Sequence, residues 1–104
     1  EGVSIALLEA IAATGSIAAA ARALTMSYRR AGLILANLNE SFDSRVANTA
    51  TGGTRGGKCE LTEFGAALVE AYREVEKEAA KAAKPALRRL QSHAVKGAPR
   101  RPGA

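Results

Sequence analysis

The chain contains one cysteine, one histidine, one methionine and no tryptophan, and only 4% of its 104 residues are aromatic. Each shortage removes a class of function. A lone Cys59 excludes an internal disulfide framework, and with His93 as the single imidazole it leaves too few soft ligands for a zinc site of the finger type. No metal and no cofactor are expected. One histidine, with glutamates concentrated on a single C-terminal stretch, does not assemble into a Ser/His/Asp or paired-carboxylate arrangement, so no catalytic role is expected either. His93 has no Cys, Asp or Glu close by in sequence and reads as a solvated side chain. Long apolar runs are also missing, and none approaches the roughly 18 residues that a membrane-spanning helix needs. The segment from Val3 to Ala13 is interrupted by Glu9 and has no basic flank before it, so it does not read as a signal peptide. A cytoplasmic, nucleoid-associated location is the expectation. Large core-forming residues are scarce too. Hydrophobic residues make up 47% of the chain, but 24 of them are alanine, against ten Leu, four Ile and five Val. One domain with a thin core follows, for which association through an extra helix is attractive.

What is abundant is positive charge, a net +5, and its distribution matters more than its size. Residues 1–21 carry −2, residues 22–58 carry +4, residues 59–83 carry −3 and residues 84–104 carry +6. Two basic zones of different kinds, one inside a patterned region and one at an end, point toward a polyanionic partner.

Along the chain, Ile5, Leu7, Leu8 and Ile11 recur at helical spacing between Val3 and Thr14, and Gly15 stops that helix where a left-handed residue is wanted. Ser16 is a ready N-cap for a short alanine-rich helix, Ile17 to Leu24. Thr25 and Met26 form a break, and Ser27 caps a third helix whose apolar positions are Tyr28, Leu33, Leu35 and Leu38, extending toward Phe42. The layout over residues 16–40 is that of a helix-turn-helix. Arg45 to Ala50 and Lys58 to Leu61 then read as paired strands around the glycine-rich TGGTRGG, and Thr62 caps again. From Phe64 the residues Leu68, Tyr72, Val75, Ala79 and Ala82 follow nearly heptad spacing, the seam of a long pairing helix. Pro85 is expected to kink or interrupt it, although Ala86, Leu87 and Leu90 can resume it. From about Ala94 the chain is rich in Pro, Gly and basic residues without apolar period, and reads as disordered. The expected fold is therefore mainly α with a small β-hairpin wing: a winged helix-turn-helix over 1–62, a dimerisation helix over 63–92 and a basic tail over 93–104.

The third helix opens on SYRR. There Arg29 and Arg30 can donate to guanine O6 and N7 or to phosphate, Tyr28 can touch a base or phosphate, and the free N–H groups near Ser16 and Ser27 suit backbone oxygens. In the hairpin loop the glycines permit close approach to a phosphate backbone, with Arg55 or Lys58 in a minor groove or against phosphates. The bland alternatives are a solvated arginine pair and a plain hairpin turn. Nucleotide phosphate cradling is disfavoured, because no GxxxxGK[ST] pattern and no helix follow the glycines directly. Gly32, inside a helix, costs about 1 kcal/mol relative to alanine, so either a neighbouring backbone packs on it or something larger has been lost. Cys59 reads as a small hydrophobe, with redox sensing as the alternative.

These residues carry a family resemblance. The run TGSIAAAARALTMSYRRAG (14–32), Leu38 and Asn39, ATGG (50–53), Gly56 and Gly57, LTEFG (61–65) and LVEAY (68–72) resemble the N-terminal DNA-binding domain of the ModE family of molybdate-responsive regulators and, more distantly, LysR-type regulators. The resemblance implies a dimeric winged helix-turn-helix whose third helix reads operator DNA through Ser27, Tyr28, Arg29 and Arg30. It places Thr51, Gly52, Gly53, Thr54, Arg55 and Lys58 in the wing. The first and last helices would build the dimer, with Leu7, Leu8, Phe64, Leu68, Tyr72, Val75, Ala79 and Ala82 at its interface. Gly32 departs from the family, which usually has tryptophan there. Nothing after Pro85 resembles a molybdate-binding domain, so no small-molecule effector is expected for this chain itself. Double-stranded DNA and a second copy are the expected partners. Two other readings remain open at this stage: a protein-interaction module pairing through the last helix, and a nonspecific nucleoid-type binder using the basic tail.

Overall fold

A computed structural model describes residues 2–50 and 57–95. Three helices, α1 (Gly2–Thr14), α2 (Ile17–Ala23) and α3 (Tyr28–Ser41), precede an antiparallel hairpin of β1 (Ala47–Ala50) and β2 (Lys58–Leu61), and a long helix α4 (Glu63–Gln91) follows. The described residues up to Arg73 form one compact unit, and those from Glu74 onward a second.

The helix boundaries follow from local chemistry. Gly15, at φ +81°, ends α1 and its N–H donates to the Ile11 carbonyl at 2.8 Å. The Ser16 hydroxyl accepts from Ala19 N–H and the Ser27 hydroxyl from Arg30 N–H, each at 3.0 Å, so both helices of the helix-turn-helix are capped. Between them Thr25 adopts φ +56°, with its N–H on the Arg22 carbonyl and that of Met26 on the Ala21 carbonyl. This is a Schellman turn, built on a threonine where glycine is the usual choice.

The core gathers Ile5, Leu7, Leu8 and Ile11 from α1, Ala20 and Ala21 from α2, Ala31 and Leu35 from α3, and Val46, Ala47 and Cys59 from the hairpin region. Small residues on α2 and α3 let the helices approach closely, so the core closes with few large side chains. On α3 the inward stripe is Ala31, Ile34, Leu35 and Leu38, at i, i+3, i+4 and i+7. Tyr28 and Leu33, read from sequence as part of the apolar stripe, are exposed instead, because the tighter match to helical period runs through Ala31 and Ile34. Phe42 caps the end of α3 and packs edge-on against Phe64, with ring centroids 5.4 Å apart.

Phe64, Leu68, Val69 and Tyr72 of α4 lie half-buried against the same core. The compact unit therefore extends to Arg73 and does not end at Thr62. Arg73 closes this packing with a bidentate ion pair to Glu9 of α1, one arm at 2.8 Å. The guanidinium holds the Glu9 carboxyl below the usual carboxylate range, against a smaller opposing effect of desolvation. Because the folded pKa is depressed, the pair's contribution is complete at neutral pH and is lost as pH falls through the folded value. Both side chains are more than two-fifths exposed, so the contribution is small.

One further expectation is corrected. Leu7 and Leu8, assigned to a dimer interface, are 0% exposed in the core. A side chain with no accessible surface in one chain has none to bury against another. Helix α4 continues for 29 residues with Pro85 inside it, so the proline does not interrupt the helix and Ala86, Leu87 and Leu90 carry it on. Proline removes the N–H that the Lys81 carbonyl would otherwise meet, and this stretch is exposed, so the carbonyl is left open to solvent. The tail expected to be disordered lies mostly in 96–104, outside the described residues.

Candidate nucleic-acid interface

The outer face of α3 is built by subtraction. With Ala31 and Leu35 turned into the core, helical geometry leaves Tyr28, Arg29, Arg30, Leu33, Ala36 and Asn37 outside. The Ser27 cap fixes the first turn of α3, so the two arginines project from a helix start whose phase is set by the core beneath it. Neither arginine makes an ion pair with a described residue. Both occupy the first turn, at the positive end of the helix dipole, where a cation is disfavoured by about 0.3–1 kcal/mol and an anion is stabilised. No acidic residue of α3 occupies that turn to neutralise them. A cluster of guanidinium groups and N–H dipoles of this kind favours an anion over a cation.

The other sequence-assigned residues divide. Ser16 is half-buried and Ser27 exposed, and each hydroxyl oxygen already accepts a capping N–H, which leaves the hydroxyl proton and the neighbouring amides to face a ligand. Lys58 is exposed at the start of β2, opposite Ala50 on the hairpin. Thr51, Gly52, Gly53, Thr54 and Arg55 lie outside the described residues. Of the proposed pairing seam, Phe64, Leu68 and Tyr72 are half-buried on the unit's own core. Val75, Ala79 and Ala82 are exposed, Val75 to 65%. Cys59 is buried, and burial together with the charge of Glu60 pushes its thiol pKa up. The thiolate is suppressed, which favours a packing role over a redox one.

One positioning residue went unrecognised by its chemistry. Asn39, near the end of α3, accepts through Oδ1 from Val46 N–H at 2.7 Å and from Ala47 N–H at 3.4 Å, and its Nδ2 donates to the Ala47 carbonyl at 3.4 Å. The amide thus continues the hairpin's hydrogen bonding onto α3 and sets where the wing stands relative to the arginines. The asparagine was visible in the sequence as part of the LN pair, but its partners are seven and eight residues away across an irregular segment. Asn39→Ala leaves the Val46 N–H, on a buried residue, without its acceptor, so a loss of about 1–3 kcal/mol is expected in urea denaturation. Asn39→Asp, which keeps an acceptor, should lose less. A change below about 0.5 kcal/mol for the alanine variant would show that water replaces the amide there.

Gly32 faces an open depression bordered by Ile17, Leu35, Asn39, Glu40 and Arg45, and a Cβ built on it meets no atom within 4 Å. Of the two sequence explanations, close packing of a neighbouring backbone is thereby removed. Gly32→Ala should raise stability by about 0.5–1 kcal/mol through helix propensity alone. Thermal unfolding would then shift upward by a few degrees, about 4–8 °C for each kcal/mol in a unit of this size.

The capped helix pair, the hairpin behind it and the helix that returns to the core define a winged helix-turn-helix protein. The same architecture occurs in the crystal structure of the CbnR DNA-binding domain in complex with DNA, with a TM-score of 0.68 at 21% identity over 86% of this chain and 98% of that one. The sequence signature of the bacterial regulatory helix-turn-helix proteins of the lysR family matches residues 4–66, and the chain belongs to that family. Over its N-terminal region it is similar to the molybdenum-pterin-binding protein MopA of Rhodobacter capsulatus, with 42% identity over 71 residues, 68% of this chain and 27% of MopA. It is also similar to the DNA-binding transcriptional dual regulator ModE of Escherichia coli K12, with 35% identity over 68 residues, 65% of this chain and 26% of ModE. The chain thus spans about a quarter of the length of these curated relatives.

Proposed function

We propose that this chain is the DNA-reading part of a dimeric transcriptional regulator, binding duplex DNA sequence-specifically through the outer face of α3 with the hairpin against the phosphate backbone. The observation that carries this reading is the pair of exposed arginines, Arg29 and Arg30, held in the capped first turn of α3 without an ion pair to any described residue. Guanidinium groups in that position reach the guanine edge in the major groove, and the helix N-terminus favours phosphate. The lysR-family signature, the relative named as a DNA-binding transcriptional regulator and the fold shared with a domain solved on DNA support the same partner. Dimerisation is supported by the exposed Val75, Ala79 and Ala82 along α4 beyond Arg73. Among the described residues no group of three or more His, Cys, Asp or Glu is placed to hold a metal, and no single helix is long and apolar enough to cross a membrane.

A two-fold dimer reads a roughly palindromic site with half-sites about one helical turn, ~34 Å, apart. Selection of duplexes from a random library by the full chain, against excess unrelated DNA, should enrich such a palindrome. Failure to enrich any motif, with binding abolished by the competitor, would replace this reading with that of a nonspecific binder using the basic residues beyond Pro85.

A further inference from the structure

We infer that Leu33 is a specificity-determining residue of α3, reading thymine by apolar contact with its 5-methyl group in the major groove. This rests on the assignment of α3 as the DNA-reading helix. Leu33 is 61% exposed, the most exposed large apolar side chain among the described residues up to Arg73. It lies on the outer face, opposite Ala31 and Leu35, three residues beyond Arg30 and four beyond Arg29. At that spacing it is the arginines' neighbour on the next turn, about 4.5–6 Å further along the helix axis. That distance corresponds to one or two base-pair steps of a duplex.

The chemistry of the side chain narrows what it can meet there. Leucine has no hydrogen-bonding atom, so it gains nothing from a phosphate or from a base acceptor. The apolar group that a B-form duplex presents on its major-groove edge is the thymine 5-methyl. Two other occupants fit less well. The protomer's own core is on the opposite side of α3. A second copy meeting this face about a two-fold axis would bring Arg29 and Arg30 against their own images, and neither has an acidic partner among the described residues.

The test uses the full chain and the duplex it selects. Each thymine is replaced in turn by deoxyuridine, which removes the methyl group but keeps base pairing and the O4 acceptor. At one position per half-site the parent protein should lose affinity about three- to tenfold, the worth of one buried methyl-sized contact. Leu33→Ala should show no further loss at that same position, and Leu33→Gln should behave likewise. The proposal is overturned if no deoxyuridine position affects the parent, or if every position affects parent and Leu33 variants equally. The variant carrying Arg29→Ala and Arg30→Ala separates this failure from a deeper one. If it loses the selected duplex while the deoxyuridine series is flat, only the role of Leu33 falls. If it binds as the parent does, α3 is not the reading helix and both readings fall.

Discussion

Gly65→Ala is expected to destabilise the N-terminal unit by about 3 kcal/mol, at the upper end of what overpacking a well-fitted site costs. An alanine Cβ at this position would stand 2.0 Å from the Val46 carbonyl oxygen and 2.9 Å from its carbon. The obstruction is backbone and cannot rotate aside. It is also pinned: the Val46 carbonyl accepts from Thr62 N–H at 3.0 Å, the Thr62 hydroxyl donates to the Arg45 carbonyl at 2.6 Å, and Gly65 N–H donates to that same hydroxyl at 2.9 Å. Making room means either breaking this cluster or moving the start of α4 off the core, and with it Phe64, Leu68 and Tyr72. At about 4–8 °C for each kcal/mol, thermal unfolding should occur roughly 12–24 °C lower. Ala66→Gly, on the exposed neighbouring residue, is the control and should lose only about 1 kcal/mol of helix propensity. Equal stabilities for Gly65→Ala and the parent would mean that α4 does not seat against Val46.

The double replacement Arg29→Ala with Arg30→Ala should separate binding from folding. Each bidentate contact to guanine contributes about 1–3 kcal/mol of discrimination, so affinity for the selected duplex should fall by roughly 30-fold or more. Stability should hold or rise by a few tenths of a kcal/mol, because both side chains are exposed and two cations leave the positive end of the α3 dipole. Lys58→Ala makes the contrast. With Lys58 in its proposed role on the phosphate backbone, the variant should weaken all duplexes alike and lower the salt slope by about 1, leaving the selected sequence unchanged. Isothermal binding at three salt concentrations, with circular dichroism on the same samples, reads all of these quantities. Binding within twofold of the parent for the arginine double variant, with complete loss on truncation after Lys84, would place the contact in the basic C-terminal residues.

The helix-turn-helix was legible because its signals are local. Gly15 at the end of α1, Ser16 and Ser27 as caps, and Thr62 before α4 each act on amide groups within a few residues, so residue type and spacing suffice to place them. The arginines were assigned by the same logic, from their position just after a cap. Surface and core were harder to separate, because alanine is compatible with either and contributes little to an apolar pattern. On α3 the sequence placed Leu35 and Leu38 correctly on the inward side, but the larger Tyr28 and Leu33 were read with them, while the remaining inward positions fell to Ala31 and Ile34. On α1, Leu7 and Leu8 could as well have faced a partner as the core.

Residue order alone therefore determined the succession of elements, their caps and the placing of two unopposed arginines at a helix start. Three-dimensional packing decided which leucines are spent on the core and that Leu33 of α3 is left outside, that Gly65 must lack a side chain, that Asn39 ties the hairpin to α3, and that α4 belongs to the compact unit as far as Arg73. The reason is physical. Capping is an interaction of a side chain with its own neighbourhood, whereas the approach of Gly65 to Val46, or of Arg73 to Glu9, depends on how several helices divide one small core among them.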